Sequence, residues 1–211
     1  MTWHAKAKGA YAEASSEAKD NALEIYGILA ARGWTINAVC GLLGNMGHES
    51  GYNPWRWQSD RLGASTGSPW TNKGYGLVQF TPASKYINNA RGISGYGPNF
   101  SDKTGLASDG YAQIIYVDEN ADYYATSTYP LSYAEFKAST ENPAYLASAW
   151  LYNYERPADP AATEQARQTS ANFWYQVLSG ETPPPDPGPP PVIVGSSRRL
   201  PLWMYSTKRI V

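Results

Sequence analysis

One glutamate, Glu49, ends an apolar helix pattern in the stretch GLLGNMGHESGYNPW, Gly41 to Trp55. A carboxyl group at the end of a buried helix has one side in apolar surroundings, which raise a carboxyl pKa. A raised pKa suits a general acid that works near neutral pH. The alternative is a solvated surface charge, so further motifs have to support a catalytic role. Adjacent helix residues do not face each other, so we expect His48 to be partly exposed and not catalytic.

Two more short motifs follow Glu49-Ser50 in order. Residues 74–79 read GYGLVQ, and residues 149–157 read AWLYNYERP. Taken together, the three motifs resemble those of the phage tail lysozyme family, which is related to goose-type lysozymes and lytic transglycosylases. The resemblance covers about residues 21–178. It implies a lysozyme-like fold and cleavage of the β-1,4 bond between N-acetylmuramic acid and N-acetylglucosamine in peptidoglycan.

The same resemblance implies roles for individual residues. It makes Glu49 the catalytic acid and places Gly76 and Gln79, with Leu77 between them, along the glycan cleft. It also places the Tyr-Asn-Tyr segment 152–154 on a facing helix. Helical periodicity turns Tyr152 away from the face of Trp150 and so favours Asn153 or Tyr154 as substrate-binding residues.

Aromatic residues are frequent in the loop that follows Glu49. The chain has 17 Tyr and 8 Trp but only 4 Phe. Tyr and Trp combine an apolar ring face with a polar edge, which suits contact with sugars as well as packing in a core. We therefore expect Trp57 and Tyr75 to bind the glycan, while other loop aromatics hold the loop in place.

The second carboxylate of the reaction is left open by the sequence. Glycoside hydrolysis normally uses two carboxyl groups. Asp60 is the first candidate, although it could equally be a loop aspartate that pairs with Arg61. Glu155 is the second candidate, although it could form a structural pair with Arg156 or another arginine. With neither, the protein would be a lytic transglycosylase that forms anhydromuramic ends.

Composition excludes several other classes of protein. A net charge of -1 gives no electrostatic reason to expect a nucleic-acid partner. One cysteine, Cys40, and two histidines argue against a structural zinc site and against a wall amidase or peptidase, and we expect no cofactor. No stretch is apolar enough to cross a membrane, and the N-terminus lacks the pattern of a signal peptide. We expect a protein of the virion tail, or one released by lysis.

Capping residues and apolar spacing predict an α+β, mainly α fold. A region of loops with a short β-hairpin ending at Gly76–Phe80 interrupts the helices between residues 50 and 80. The glycines at 41, 44 and 47 predict close packing against another element. The first predicted helix covers residues 16–32 and is closed by Gly33, and the second is capped by Thr35 and ends near Glu49. A third begins at Thr81-Pro82, a fourth covers residues 109–122 with Asp109 as its cap, and a fifth covers residues 131–139. The last two begin at Asn142-Pro143 and Asp159-Pro160 and end at Pro157 and Gly180, respectively.

The chain divides into four predicted segments. Residues 1–15 form an N-terminal extension, and residues 16–180 form the lysozyme-like glycosidase domain. The segment 181–191 is a proline-rich linker of extended character. The basic-aromatic segment 192–211 is either a docking tail for other virion tail proteins or a disordered terminus. A wall-binding virion protein without catalytic activity is the alternative to an enzyme.

Overall fold

The computed structural model describes residues 3–5, 15–59, 61–62, 72–96 and 109–185. These ranges are mainly helical, and their only ladder is one antiparallel pair of two-residue strands. The predicted α+β, mainly α, lysozyme-like fold class is thereby confirmed. The α-helices are α1 (Ser16–Ala31), α2 (Ile36–Ser50), α3 (Ser84–Asn89), α4 (Asp109–Asn120), α5 (Tyr133–Ala138), α6 (Pro143–Trp150) and α7 (Ala161–Ser179), and the strands are β1 (Arg56–Trp57) and β2 (Arg61–Leu62). A 3-10 turn (Ala90–Gly92) follows α3, and a π-helical turn (Leu151–Glu155) follows α6.

Local capping chemistry places most helix ends where the sequence predicts them. The Thr35 hydroxyl accepts a hydrogen bond from the Ala38 N–H at 3.1 Å and begins α2. The Asn142 side chain accepts one from the Ala144 N–H at 2.7 Å, and Pro143 is the first residue of α6. These contacts satisfy N–H groups that have no partner inside the helix.

The start of α7 lies one residue later than predicted. Asp159 still caps the end, since its side chain accepts from the Ala162 N–H at 3.3 Å, but Pro160 lies before the first helical residue. The helix closes as predicted at Gly180, which has a φ of +74°.

The core is organised around α2, in which twelve of the fifteen residues are buried. This helix packs against both α6 and α7 at very short range. A Cβ atom at Gly41 would lie 2.7 Å from the Leu146 Cβ in α6, and one at Gly44 would lie 2.4 Å from the Arg167 carbonyl oxygen in α7. The prediction that these glycines serve close packing is confirmed, because any larger side chain would push the helices apart.

The region between α2 and α3 differs from the prediction. The hairpin predicted to end at Gly76–Phe80 is instead formed by β1 and β2. Residues 76–79 form a tight turn closed by two backbone hydrogen bonds between Tyr75 and Phe80. The predicted cap at Thr81-Pro82 is also wrong, because the Thr81 hydroxyl donates to the Gln79 carbonyl at 2.8 Å and α3 begins only at Ser84.

The sequence predicts that Asp109 caps α4, but in the structure its carboxylate accepts hydrogen bonds from tyrosine hydroxyls. This aspartate is the first residue of the helix, is fully buried, and accepts hydrogen bonds from the hydroxyls of Tyr75 and Tyr86. One turn later, the Gln113 side chain accepts from the Leu77 N–H at 2.8 Å and donates to the Pro54 carbonyl at 2.7 Å. Helix α4 therefore holds the loop after α2 and the 76–79 turn in fixed positions.

None of the helices in the described ranges is long and apolar enough to cross a membrane. The predicted docking tail 192–211 and the linker beyond residue 185 lie outside the described residues, so both stay predictions. Near the other end of the chain, Trp3 is buried, and its ring is so close to Gly110 that a Cβ there would lie 2.5 Å from it.

The close approach of α2 and α7 can be tested with two glycine substitutions. We expect Gly44→Ala to lower the free energy of unfolding by about 1–3 kcal/mol, because the added methyl overlaps the backbone of α7. Gly27→Ala in α1 is the matched control. It meets no atom within 4 Å, so helix propensity should raise the stability by up to about 1 kcal/mol. Urea unfolding of both variants measures these changes in the free energy of unfolding. Equal changes in the two variants would contradict the close approach of α2 and α7.

Candidate functional site

Glu49 lies in the last turn of α2, with 20% of its side chain exposed. The helix ends directly after it because Gly51 adopts a left-handed conformation with a φ of 61°. The hydroxyl of Ser50 donates to the Leu77 carbonyl at 2.8 Å and so joins the helix end to the 76–79 turn. The Glu-Ser pair thus has two functions in the fold, since one residue faces a cleft and the other fixes the cleft wall.

Arg167 on α7 is the immediate partner of Glu49. Its Nη2 donates to Glu49 Oε1 at 2.7 Å, and its Nη1 donates to Asn45 Oδ1 at 2.9 Å. The arginine side chain is only 4% exposed. The Asn45 amide in turn donates to the carbonyls of Gly41 and Ala147. Helices α2, α6 and α7 therefore meet in one hydrogen-bonded network that ends on the Glu49 carboxylate.

Glu155 is a second carboxyl group in the same place. It lies in the π-helical turn, half-buried, and its Oε1 accepts a hydrogen bond from the Trp150 indole at 3.0 Å. Burial, and then the nearby charge of Glu49, raise the pKa of Glu155 well above its ordinary value. The hypothesis that Glu155 pairs with Arg156 is not what the structure shows, because Arg156 pairs with Asp122 at 3.3 Å.

These groups line a cleft made of two adjoining pockets that share Glu49, Gln79 and Thr81. The first pocket has a volume of about 320 Å³ and is lined by charged and aromatic residues that include Lys85, Tyr154, Glu155 and Arg156. The second pocket has a volume of about 400 Å³ and is lined by Arg56, Trp57, Gln58 and Ser59, among others. Glu49 therefore lies where the two pockets join.

Three of the residues proposed to bind substrate line this cleft. Gln79 lies in both pockets, and its amide donates to the carbonyls of Arg56 and Gly76 at 3.0 Å. Trp57 borders the second pocket, but its side chain is only 1% exposed and packs on the Tyr75 ring with 4.5 Å between the ring centroids, so the predicted direct contact with sugar is not supported. Tyr154 lines the first pocket.

The structure places three other predicted residues behind the cleft wall. Tyr75 is fully buried and bonded to Asp109. Gly76 has a φ of +80°, and a Cβ there would lie 2.2 Å from the side-chain oxygen of Gln113. Asn153 is fully buried, and its amide donates to the Tyr129 carbonyl and to the Tyr123 hydroxyl. These three shape the walls instead of lining the pockets. The remaining candidate, Asp60, lies outside the described residues and stays a prediction.

Sequence reasoning missed Arg167, although a signal was present. Arg167, Ala171 and Trp174 are spaced i, i+4, i+7 and are all buried on one face of α7. A charged residue at an apolar-face position needs a buried partner, so it indicates an ion pair. The third motif makes Glu155 a candidate, but helical spacing does not predict its direction, because the π-helical turn adds a residue to the helical repeat there.

Metal and thiol chemistry find no support in this site. Within the described ranges, no group of three or more His, Cys, Asp and Glu side chains could hold a metal ion. Cys40 is fully buried in α2, and burial raises the pKa of its thiol to about 12. A thiol with this pKa supplies almost no thiolate nucleophile at neutral pH. His48 is exposed next to Glu49.

The raised pKa of Glu155 predicts a specific dependence of stability on pH. Above about pH 4.3 the unfolded chain loses this proton while the folded chain keeps it, so rising pH favours unfolding. Glu155→Gln removes this effect, and its stability relative to the wild type should increase between pH 5 and pH 8. Denaturant unfolding at several pH values measures this. Glu135→Gln should show no pH-dependent change relative to the wild type between pH 5 and pH 8, since hydrogen bonds from Ser132 lower the pKa of Glu135 and it is ionised in both states over this range. Parallel pH profiles for wild type and Glu155→Gln would contradict the assignment.

Comparison with known proteins agrees with the geometry. A sequence model of the phage tail lysozyme family matches residues 20–178. Morphogenesis protein 1 of Bacillus phage B103 is 38% identical over 166 residues, which are 76% of this chain and 40% of that protein. The chain thus spans less than half the length of this relative. From its three motifs, its fold and this match, the chain belongs to the phage tail lysozyme family.

Proposed function

We propose that this protein is a muramidase, a glycoside hydrolase that cleaves the β-1,4 bond between N-acetylmuramic acid and N-acetylglucosamine in bacterial peptidoglycan. The observation that carries the proposal is the pair of carboxyl groups, Glu49 and Glu155, in one cleft, with Glu49 held by Arg167 of α7. Glu49 is the catalytic carboxyl group that faces the scissile bond.

The chemistry of glycoside hydrolysis explains why such a pair is useful. The leaving oxygen needs a proton from a carboxylic acid, and a carboxylate has to activate water or attack the sugar. Arg167 donates a hydrogen bond to Glu49, whereas burial raises the pKa of Glu155, so the two carboxyl groups have different surroundings. Asp60, in the loop after Glu49, remains the other candidate for the second carboxyl group.

The shape of the cleft supports a glycan strand as substrate. The two pockets join at Glu49, and the proposal places sugar units in both of them. We propose that Gln79 and Tyr154 contact the strand. Trp57, Tyr75, Gly76 and Asn153 are buried and would then act on binding indirectly, by holding the walls of the cleft.

The proposed place of action is the virion tail, where the enzyme meets the cell wall. Membership of a tail lysozyme family supports this location, and the relative in phage B103 is named for morphogenesis. We further propose that residues 192–211 attach the enzyme to other tail proteins. These residues combine basic and aromatic side chains after a proline-rich linker.

Two alternative functions follow from specific features. A lytic transglycosylase needs only one carboxyl group, since the muramyl 6-hydroxyl attacks in place of water, and the resemblance includes that class. A wall-binding virion protein without activity would agree with the name of the phage B103 relative, which refers to assembly and not to catalysis.

Mass spectrometry of digested Gram-positive sacculi separates these functions. We expect the wild-type protein to release muropeptides with reducing ends. Anhydro ends would favour the transglycosylase, and binding to sacculi without any release would favour the inactive wall-binding protein.

The role of Glu49 is tested in the same assay. Glu49→Gln should lower the rate of release by about 100-fold or more, because it removes a group that transfers a proton in the reaction. The amide can still accept a hydrogen bond from Arg167, but the buried guanidinium loses its compensating charge, so the rate is compared per amount of folded protein, measured by circular dichroism. Glu119→Gln is the matched control, since Glu119 is an exposed glutamate paired with Arg32. Undiminished release by Glu49→Gln would refute the assignment.

A further inference from the structure

We propose that Arg167 is a positioning residue of the reaction, which fixes the Glu49 carboxyl group in the cleft and provides a buried positive charge that acts on both Glu49 and Glu155. This inference rests on the proposed glycosidase function. It assigns a role to a residue on α7, outside the three motifs that indicate the family.

Geometry is the first argument. The guanidinium of Arg167 makes three separate contacts, to Glu49, to Asn45 and, through Nε, to the Thr163 hydroxyl at 3.2 Å. Its planar group therefore cannot rotate without breaking several hydrogen bonds. Asn45 is itself held by two backbone carbonyls. The Glu49 carboxyl group is thus fixed by a chain of contacts that reaches the backbone of α6.

Burial is the second argument. A cation that is 4% exposed costs several kcal/mol unless an anion compensates it, and the hydrogen-bonded anion here is Glu49. The contact is in turn worth more than a surface pair because water screens it little. Arg167 is therefore coupled strongly to the charge state of the cleft.

The charge balance is the third argument. Burial and the nearby charge of Glu49 raise the pKa of Glu155, whereas the charge of Arg167 lowers it. The remaining charged and titratable groups around Glu49 are His48 on its own helix, Arg56 in the second pocket, and Lys85, Asp122, Tyr116, Tyr154 and Arg156 in the first pocket. Asp122 already pairs with Arg156 at 3.3 Å and lies 4.0 Å from Lys85.

His48 does not supply a second cation at neutral pH. Partial loss of water around the exposed His48 ring, followed by the charge of Arg167, lowers the pKa of His48. Among the nearby cations, Arg167 therefore has the largest effect on the ionisation of Glu155.

The test compares pH–rate profiles for Arg167→Gln, Arg167→Lys and the wild type on sacculi. Removal of the positive charge makes ionisation of both carboxyl groups harder. We therefore expect the profile of Arg167→Gln to move to higher pH by about one to three pH units. Arg167→Lys keeps the charge but loses the fork to Asn45. Its profile should stay near the wild-type position while kcat falls.

Arg32→Gln is the matched control. Arg32 also forms an ion pair with a buried aspartate, Asp118, but on the other side of the fold. Its loss should lower stability without moving the pH profile. If Arg167→Gln lowers the amount of active protein but leaves the profile in place, Arg167 is only structural and the proposal is wrong. If Arg167→Gln does not fold, the pH–rate profile of Arg167→Lys tests the proposal. A shifted Arg167→Lys profile with unchanged kcat would contradict a positioning role.

A second readout does not depend on activity. Carbon-13 NMR of glutamate carboxyl groups in the full chain follows both titrations directly, with assignments from Glu49→Gln and Glu155→Gln. We expect the midpoints of the pair to rise in Arg167→Gln and to stay in Arg32→Gln. Unchanged midpoints in Arg167→Gln would overturn the proposal. A wild-type protein that shows the coupling but cleaves no glycan would instead refute the proposed function alone.

Discussion

The arrangement of this protein depends on an ion pair that is nearly closed to water. Arg167 and Glu49 come from helices that are distant in the chain, and each charge would be costly in its position without the other. The pair forms because Gly44 has no side chain, so the backbone of α7 can lie directly against the surface of α2. Packing and electrostatics are therefore not separate here, since the same close approach creates the core and places a charge at the cleft.

Two kinds of buried carboxylate occur in this fold, and their partners explain their different uses. Asp109 is fully enclosed and receives hydrogen bonds from two tyrosine hydroxyls and from Gln113, so it is a structural acceptor. Glu49 and Glu155 each have one donor partner and border a cleft. A carboxyl group can transfer a proton only when substrate reaches it, which Asp109 does not permit.

The walls of the cleft are held by hydrogen bonds that begin in the recognisable motifs. The Ser50 hydroxyl and the Gln113 amide both bind the backbone of Leu77, and the Gln79 amide binds two carbonyls in its own loop. These contacts explain why a Glu-Ser pair and a Gly-Leu-x-Gln turn occur together in the chain. The Ser50 hydroxyl of one motif donates a hydrogen bond to the Leu77 carbonyl of the other.

Much of the outline could be read from the sequence because it depends on local chemistry. Thr35 and Asn142 begin helices because their side chains accept hydrogen bonds from N–H groups two or three residues away. The spacing of the glycines in α2 indicates close packing against another element. The position of Glu49 at a helix end followed from the same local pattern. Such features require no knowledge of what lies across the core.

The rest was decided by tertiary structure. The short strands formed at residues 56–62 and not at 76–80, because the latter turn is held by α4 across the fold. Tyr75 and Asn153 have types that suit sugars, yet their polar groups are used inside the protein.

The partner of Glu49 lies 118 positions away, and the π-helical turn brings Glu155 to the same cleft. The sequence by itself determined most of the helices, the family and the position of Glu49 at a helix end. Only the folded chain decided which groups hold that carboxyl group, because long-range charge pairing depends on distances that local spacing does not contain.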